Sequence, residues 1–337
     1  ARQRGDILID EANLILFHGA FPPVWRKEIE QTVLQKFGKG GERQGSAIVV
    51  ATQVIEQSLD IDFDLMITDL APIDLLLQRA GRLHRHAVND MHRHGLPRRL
   101  VITKPALCDN GAPNFDVETN IYDEYTLFRT YLVLQGRDRI SIPDDMTGLI
   151  EAVYDSDYSM TLPSGIDQDS MQVLLQQLQN SERSIQAKAG QGLIHAPCER
   201  RLLDQAFLEL EEDDPRSHET LRAKTRDIDF SITVVCIHQN SEGLFIFGEK
   251  GQRIWVDLNR EPSKDLVKVL LQNSVAIQNP SVGKHFVEQA LPQSWQRNAA
   301  LRYVRYATFK EGRCELPKHN LKLSRNYGLE TIKKEKA

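Results

Sequence analysis

Arg82 and Arg85 stand three residues apart in DLLLQRAGRLHRH (residues 74–86), a spacing that lets both side chains project from one side of a helix end. A guanidinium is permanently charged and presents a rigid fork of donors. Two of them aimed across a cleft are suited to neutralising charge that builds on a transferring phosphoryl group, an effect worth about 10³–10⁵ in rate. Gly81, immediately before Arg82, lets the backbone turn tightly or approach a neighbour, and Gln78 and Arg79 precede it. Upstream, VVATQVIEQSLDIDFD (49–64) delivers Thr52 and Gln53 at the end of an apolar run, with Asp60 and Asp62 beyond. His84, His86, His92 and His94 form two HxH pairs in HRHAVNDMHRHG, a pattern that could ligate zinc. The arginines flanking those histidines favour a surface loop instead, and no metal site is assigned.

The elements that must hold these groups follow from hydrophobic periodicity. LILFH (14–18) is a short strand ending at His18, and a helix runs from Val24 to Phe37, with Ile29, Val33, Leu34 and Phe37 at three- and four-residue spacing. AIVVAT (47–52), LMITDLAP (65–72) and RLVITK (99–104) are continuous apolar runs of the kind buried in parallel sheets. Strands alternating with helices predict an α/β lobe with a parallel sheet over residues 1–140. Helices are predicted near 121–135, over 142–154 with Pro143 in the first turn, and over 168–190, and residues 141–224 read as a helical linker with a charged break at EEDDPR (211–216). SITVVCIH and LFIFG around QNSEG predict a β-hairpin, QRIWVDL adds a strand, and LRYVRYATFK (301–310) alternates as a half-buried strand. These define a small α+β domain over 225–330, followed by a charged, frayed tail, TIKKEKA.

The 337 residues carry a formal net charge of −5, with 41% apolar and 26% charged side chains. That balance argues against a strongly basic, nucleic-acid-coating protein but leaves room for a channel built from backbone amides and a few arginines. No apolar run approaches the roughly 20 residues of a membrane span. Cys108, Cys198, Cys236 and Cys314 are scattered, with no CxxC pair, which fits a reducing cytosol better than a disulfide framework or zinc ribbon. The chain opens on ARQRGDILIDEANLIL without an initiator Met, and the expectation is a piece of a longer protein.

The two segments 49–64 and 74–86 resemble motifs V and VI of the superfamily-two helicases, and LILFHGAF (14–21) is similar to the motif IV region. By that resemblance the lobe is a second RecA-like helicase lobe. Thr52, Gln53 and His18 then face nucleic acid, with Thr52 on a phosphate. Asp60 contacts the ATP ribose, Gln78 and Arg79 lie beside the nucleotide, and Arg82 and Arg85 reach the γ-phosphate. Together with YDEYTLFRTYLVL and LIEAVYD, and with TRDIDFSITVV (225–235) and LSRNYGLE (323–330), the pattern resembles the helicase–nuclease of type I CRISPR interference and its accessory C-terminal domain. The resemblance implies a prokaryotic, cytoplasmic protein recruited by an RNA-guided surveillance complex. It moves 3′-to-5′ on single-stranded DNA and degrades it.

Neither a GxxxxGK[ST] phosphate loop nor a DExH box occurs in the sequence. ATP and Mg²⁺ are therefore expected to be held mainly by another lobe, the nuclease metal by another domain, and the isolated chain to be inactive. Two alternatives stand beside this reading. One is a docking or regulatory module whose C-terminal domain meets a partner complex or a protein inhibitor. The other is a different superfamily-two RNA or DNA helicase.

Overall fold

The computed structural model describes residues 13–43, 45–56, 59–109, 111–115, 117–162, 168–191 and 231–334. The EEDDPR linker reading lies outside them. The chain divides into two compact units, one of Ala1–Lys36, Glu42–Gln57 and Ile228–Ala337, the other of Phe37–Gly41 and Ser58–Asp227.

In the first unit, strands β1 (Leu14–Phe17) and β2 (Ile48–Ala51) pair in parallel, with Leu14 opposite Ile48 and Phe17 opposite Ala51. Helix α1 (Pro23–Phe37) begins on a proline, whose fixed φ and missing N–H suit a first turn. Its Val24 and Trp25 join Phe21 in a core shared with the accessory domain. That domain is built on an eight-stranded sheet. Its strands are β7 (Ile232–Asn240), β8 (Gly243–Phe247), β9 (Arg253–Trp255), β10 (Ser274–Ile277), β11 (Arg305–Lys310), β12 (Arg313–Glu315), β13 (His319–Ser324) and β14 (Gly328–Lys333). The order is β14-β13-β12-β11-β7-β8-β9, with β10 also on β7. Every pairing in it is antiparallel except β11 on β7.

Strand side chains alternate between faces, and β7 is apolar on both because each face meets a core. Val234 and Cys236 point to the core that holds α1. Val235 and Ile237 point to a second core with Leu270 of helix α6 (Lys264–Gln272) and the buried Trp295. Helix α7 (Pro280–Val287), capped by the Asn279 side chain, contributes Val282 and Phe286 to the first core. The hairpin predicted around QNSEG is β7–β8, closed between Asn240 and Gly243. The tail differs from expectation. Thr331, Ile332 and Lys333 are strand, paired to Leu321, Asn320 and His319, because β13 offers a free edge that local charge does not outweigh.

The β13–β14 turn is fixed by Gly328. Its φ is +69°, and a Cβ there would lie 2.7 Å from the Ala20 carbonyl oxygen, which accepts the Leu329 N–H at 2.9 Å. Gly328→Ala is expected to cost about 1–3 kcal/mol through left-handed strain and the clash, read as a lowered urea midpoint.

Beside that turn, His238 lies among Trp25, Phe245, Phe247 and Phe309, with the Arg325 guanidinium stacked over Trp25 and Phe247 and ion-paired to Glu28. Burial, and then the Arg325 charge, push its pKa down to about 4. The unfolded chain, with an ordinary histidine near 6.5, binds the proton first. Stability is therefore full above about pH 6.5 and falls as the pH drops towards 4. Between pH 7 and 5 the loss is expected to be about 2 kcal/mol, and urea titrations of His238→Gln should show most of that slope gone.

The second unit holds a further parallel pair, β3 (Leu65–Thr68) with β4 (Arg99–Ile102), and a short antiparallel ribbon, β5 (Ala106–Leu107) with β6 (Pro113–Asn114). Helix α2 (Ile73–Ala80) buries Ile73, Leu76 and Leu77 against α3 (Glu124–Leu134) and α4 (Met146–Tyr154). Helix α4 starts at Met146, so Pro143 lies in the turn before it rather than in its first turn. The buried Arg129 of α3 closes the C-terminal end of α4 by donating to the Ala152 and Asp155 carbonyls at 2.6 Å, satisfying groups a helix leaves open. Helix α5 (Gln168–Gln191) seats Met171 on the α3 core, as its apolar spacing predicts.

Residues 1–140 thus have the α/β character and the parallel pairing read from the sequence, with the strands forming two separate pairs, one in each unit. The strands, however, are not covered on both faces. Ile48 is 39%, Val50 52%, Leu65 54% and Ile67 68% exposed.

Candidate nucleotide-contact site

Three segments of the second unit converge: 59–64, the turn after α2, and 84–94. The convergence is organised by Asp62, which is fully buried. Its carboxylate accepts the backbone N–H of Arg85 at 2.8 Å, the backbone N–H of His86 at 3.1 Å and the Asn89 amide at 2.7 Å. The buried Arg93 guanidinium pairs with it at 2.5 Å, and also with Asp64 at 3.1 Å and with Asp90. Burial alone would raise the Asp62 carboxyl. The donors from Asn89, Arg85, Arg93 and His86 outweigh it and hold the group below its ordinary value, so it stays ionised. For Arg93 burial opposes charge, and the three carboxylates more than restore it.

This clamp sets the positions of the exposed groups. Asp60, 53% exposed, receives the His86 Nε2 at 2.8 Å and the Arg85 Nε at 3.2 Å on the same oxygen. Arg82 donates to the Leu59 carbonyl, and its backbone carbonyl accepts the Phe63 N–H at 2.8 Å. Burial and the neighbouring Arg85 charge lower the Arg82 pKa, opposed by Asp60. Asp60, Arg82 and Arg85 therefore share one patch, in which a carboxylate faces two guanidiniums. Such a set can accept from hydroxyls and donate to phosphate oxygens.

The other predicted residues divide. Gln78 is exposed on α2. Arg79 is committed inward, donating to Thr68 Oγ1 at 2.6 Å and to the Tyr122 hydroxyl at 3.2 Å. Thr52, Gln53 and His18 belong to the first unit. Thr52 is exposed and donates its N–H to the Phe17 carbonyl at 3.3 Å, and Gln53 opens a short 3₁₀ turn, Gln53–Glu56. His18 accepts the Ala20 N–H on Nδ1 at 3.1 Å and packs at a tilt against Phe21. Burial lowers its pKa, partly countered by a hydrogen bond to the Tyr327 backbone. Asn89 and Arg93 were missed from sequence, and His86 was weighed only as a metal ligand. The Arg93 signal lay within the HxH pairs, where the arginine and not its flanking histidines is the buried group. His84 turns back through a positive φ of 47° to the Asp64 carbonyl. Among the described residues no three His, Cys, Asp or Glu side chains gather as a metal site. Among them, too, no helix is long and apolar enough to cross a membrane.

Residues 2–88 match the family model for the C-terminal part of the CRISPR-associated nuclease/helicase Cas3, and residues 226–329 match the Cas3 C-terminal domain. The chain belongs to the Cas3 family. It is 36% identical over 306 residues to the CRISPR-associated endonuclease/helicase Cas3 of Thermus thermophilus, covering 89% of this chain and 32% of that one. Among solved structures, the crystal structure of a CRISPR-associated protein superposes with a TM-score of 0.78 at 32% identity, over 96% of this chain and 35% of the other. T. fusca Cas3 with ATP gives 0.67 at 28% identity, over 96% and 36%. A chain of a CRISPR RNA-guided surveillance complex, pre-nicking, gives 0.63 at 27% identity, over 94% and 37%. This chain thus corresponds to the C-terminal portion of a Cas3 helicase, and it spans about a third of the length of the relatives it matches.

Proposed function

We propose that this chain supplies the second RecA-like lobe (1–140), linker (141–224) and accessory domain (225–330) of a Cas3-type motor. The motor hydrolyses ATP to move 3′-to-5′ on single-stranded DNA in the prokaryotic cytoplasm, after recruitment by an RNA-guided surveillance complex. The observation that carries the reading is the patch of Asp60, Arg82 and Arg85, solvent-facing yet pinned from beneath by buried Asp62. A rigid backbone under long cationic side chains is what preorganised stabilisation of phosphoryl charge requires. The donor set fits a nucleotide: the Asp60 carboxylate can accept from ribose hydroxyls, and the guanidiniums can donate to phosphate oxygens. ATP supplies the phosphoryl group. Arg82 and Arg85 offset its negative charge, and Asp60 orients its sugar. Mg²⁺, the phosphate loop and the nuclease metal are assigned to other parts of a full-length protein, which leaves this chain alone without turnover. Thr52, Gln53 and His18 are assigned to the DNA backbone, and Gln78 to coupling beside the nucleotide. Arg79 keeps only a supporting place there, since its guanidinium holds Thr68 and Tyr122.

The test is DNA-stimulated ATP hydrolysis by a full-length protein carrying Arg82→Ala or Arg85→Ala. Loss of turnover with retained single-stranded DNA binding is expected, and normal turnover in both variants overturns the reading.

A further inference from the structure

The geometry points to His86 as a positioning residue that keeps Asp60 in place when Arg85 leaves it for phosphate. The inference rests on the reading of Asp60 and Arg85 just given. Both side chains share one oxygen of Asp60, His86 Nε2 at 2.8 Å and Arg85 Nε at 3.2 Å. Turning the whole Arg85 fork onto a phosphate would take its Nε off that carboxylate. Its backbone cannot supply the movement, because Asp62 takes the N–H groups of both Arg85 and His86, and Arg93 grips Asp62 from the buried side. The exchange is therefore confined to side chains. The Arg85 side chain is 41% exposed, with solvent to turn into, whereas the His86 ring is 17% exposed and enclosed by its neighbours.

The balance of forces favours the exchange. An exposed carboxylate–guanidinium pair is weakly held, and an arginine fork on a phosphate is strong and directional. Once Arg85 has gone, a bare Asp60 carboxylate beside a polyanion would be repelled, and a donor is needed to keep it on the sugar. His86 Nε2 is that donor. The charged groups facing His86 are Asp60 and Arg85 on one side. On the other, Asp62 holds its N–H, and Arg93 donates to its carbonyl at 3.3 Å.

In a full-length protein, His86→Ala is expected to raise the KM for ATP about tenfold and to lower kcat by less. His86→Gln, which keeps an N–H donor at similar reach, should return both to within about threefold. With 2′-deoxy- and 3′-deoxy-ATP the wild type should lose affinity and His86→Ala should not. The effects of His86→Ala and Asp60→Ala should overlap rather than multiply. An unchanged KM in His86→Ala, multiplying effects in the double variant, or no rescue by glutamine would overturn the inference. Inactive Arg85→Ala with wild-type-like His86→Ala refutes this step alone, whereas active Arg82→Ala and Arg85→Ala refute the nucleotide site itself.

Discussion

Arg85→Ala in a full-length protein is expected to slow DNA-stimulated ATP hydrolysis by about 10³- to 10⁵-fold while barely moving thermal stability. The two halves of that expectation have separate causes. The Arg85 side chain is 41% exposed and its one described ionic partner, Asp60, is 53% exposed. Surface pairs of this kind contribute about 0.2–1 kcal/mol, so the fold loses little. The backbone of residue 85 stays where Asp62 holds it, because alanine keeps the N–H that bonds Asp62 Oδ1. What disappears is the cation available to the transferring phosphoryl group, a transition-state loss that lowers kcat and kcat/KM together. Arg82→Ala should show the kinetic loss with a larger stability change, since its guanidinium also donates to the Leu59 carbonyl. Steady-state kinetics paired with thermal melts of both variants separates the two contributions. A stability loss in Arg85→Ala as large as in Arg82→Ala would place Arg85 in the scaffold instead.

Asp62→Ala is expected to destabilise the second unit by about 3–5 kcal/mol. Removing one partner of a buried pair leaves the other charge in a medium that solvates it poorly. Two backbone N–H groups and the Asn89 amide also lose their acceptor. Arg93 retains Asp64 and Asp90, which limits the loss to the lower part of that range. Urea unfolding gives the magnitude, and amide hydrogen exchange locates it: Arg85 and His86 should lose protection before the helices do. The carboxyl is held below its ordinary value, so its stabilisation is present above about pH 4 and is lost as acid protonates the folded state. Asp62→Asn keeps an acceptor and a shape but no charge, and should fall between the two.

The parts of the molecule legible in its sequence are those that depend on neighbours along the chain. Helix α1, the hairpin around QNSEG and the long α5 follow from spacings of two to four residues. Asp60, Arg82 and Arg85 were found because their order in two short segments is distinctive, and the structure brings them to one patch. The clamp beneath them was not legible, since Asp62 meets Arg93 and Asn89 only after an intervening strand and helix have returned the chain. Spacing gives no sign that Arg93 is only 3% exposed while Met91, in the same loop, is 76% exposed. The strand at Thr331–Lys333 was hidden for another reason: Lys333 and the lysines after it read as a charged tail, although the segment pairs with β13. The direction of the Arg79 side chain likewise depends on Tyr122, far along the chain.

The shared core of the first unit sets an order of events at the ribosome. Phe21, Val24 and Trp25 are buried against Val234, Phe309 and Leu321, side chains made more than two hundred residues later. At about 5–20 residues per second, that separation is roughly 10–60 s of translation. During it, Trp25 and its neighbours have no finished surface to cover them and are candidates for chaperone capture. Contacts this distant also slow the folding search itself. A nascent chain halted before β11 should therefore leave Trp25 open to quenchers, and one released after β14 should bury it.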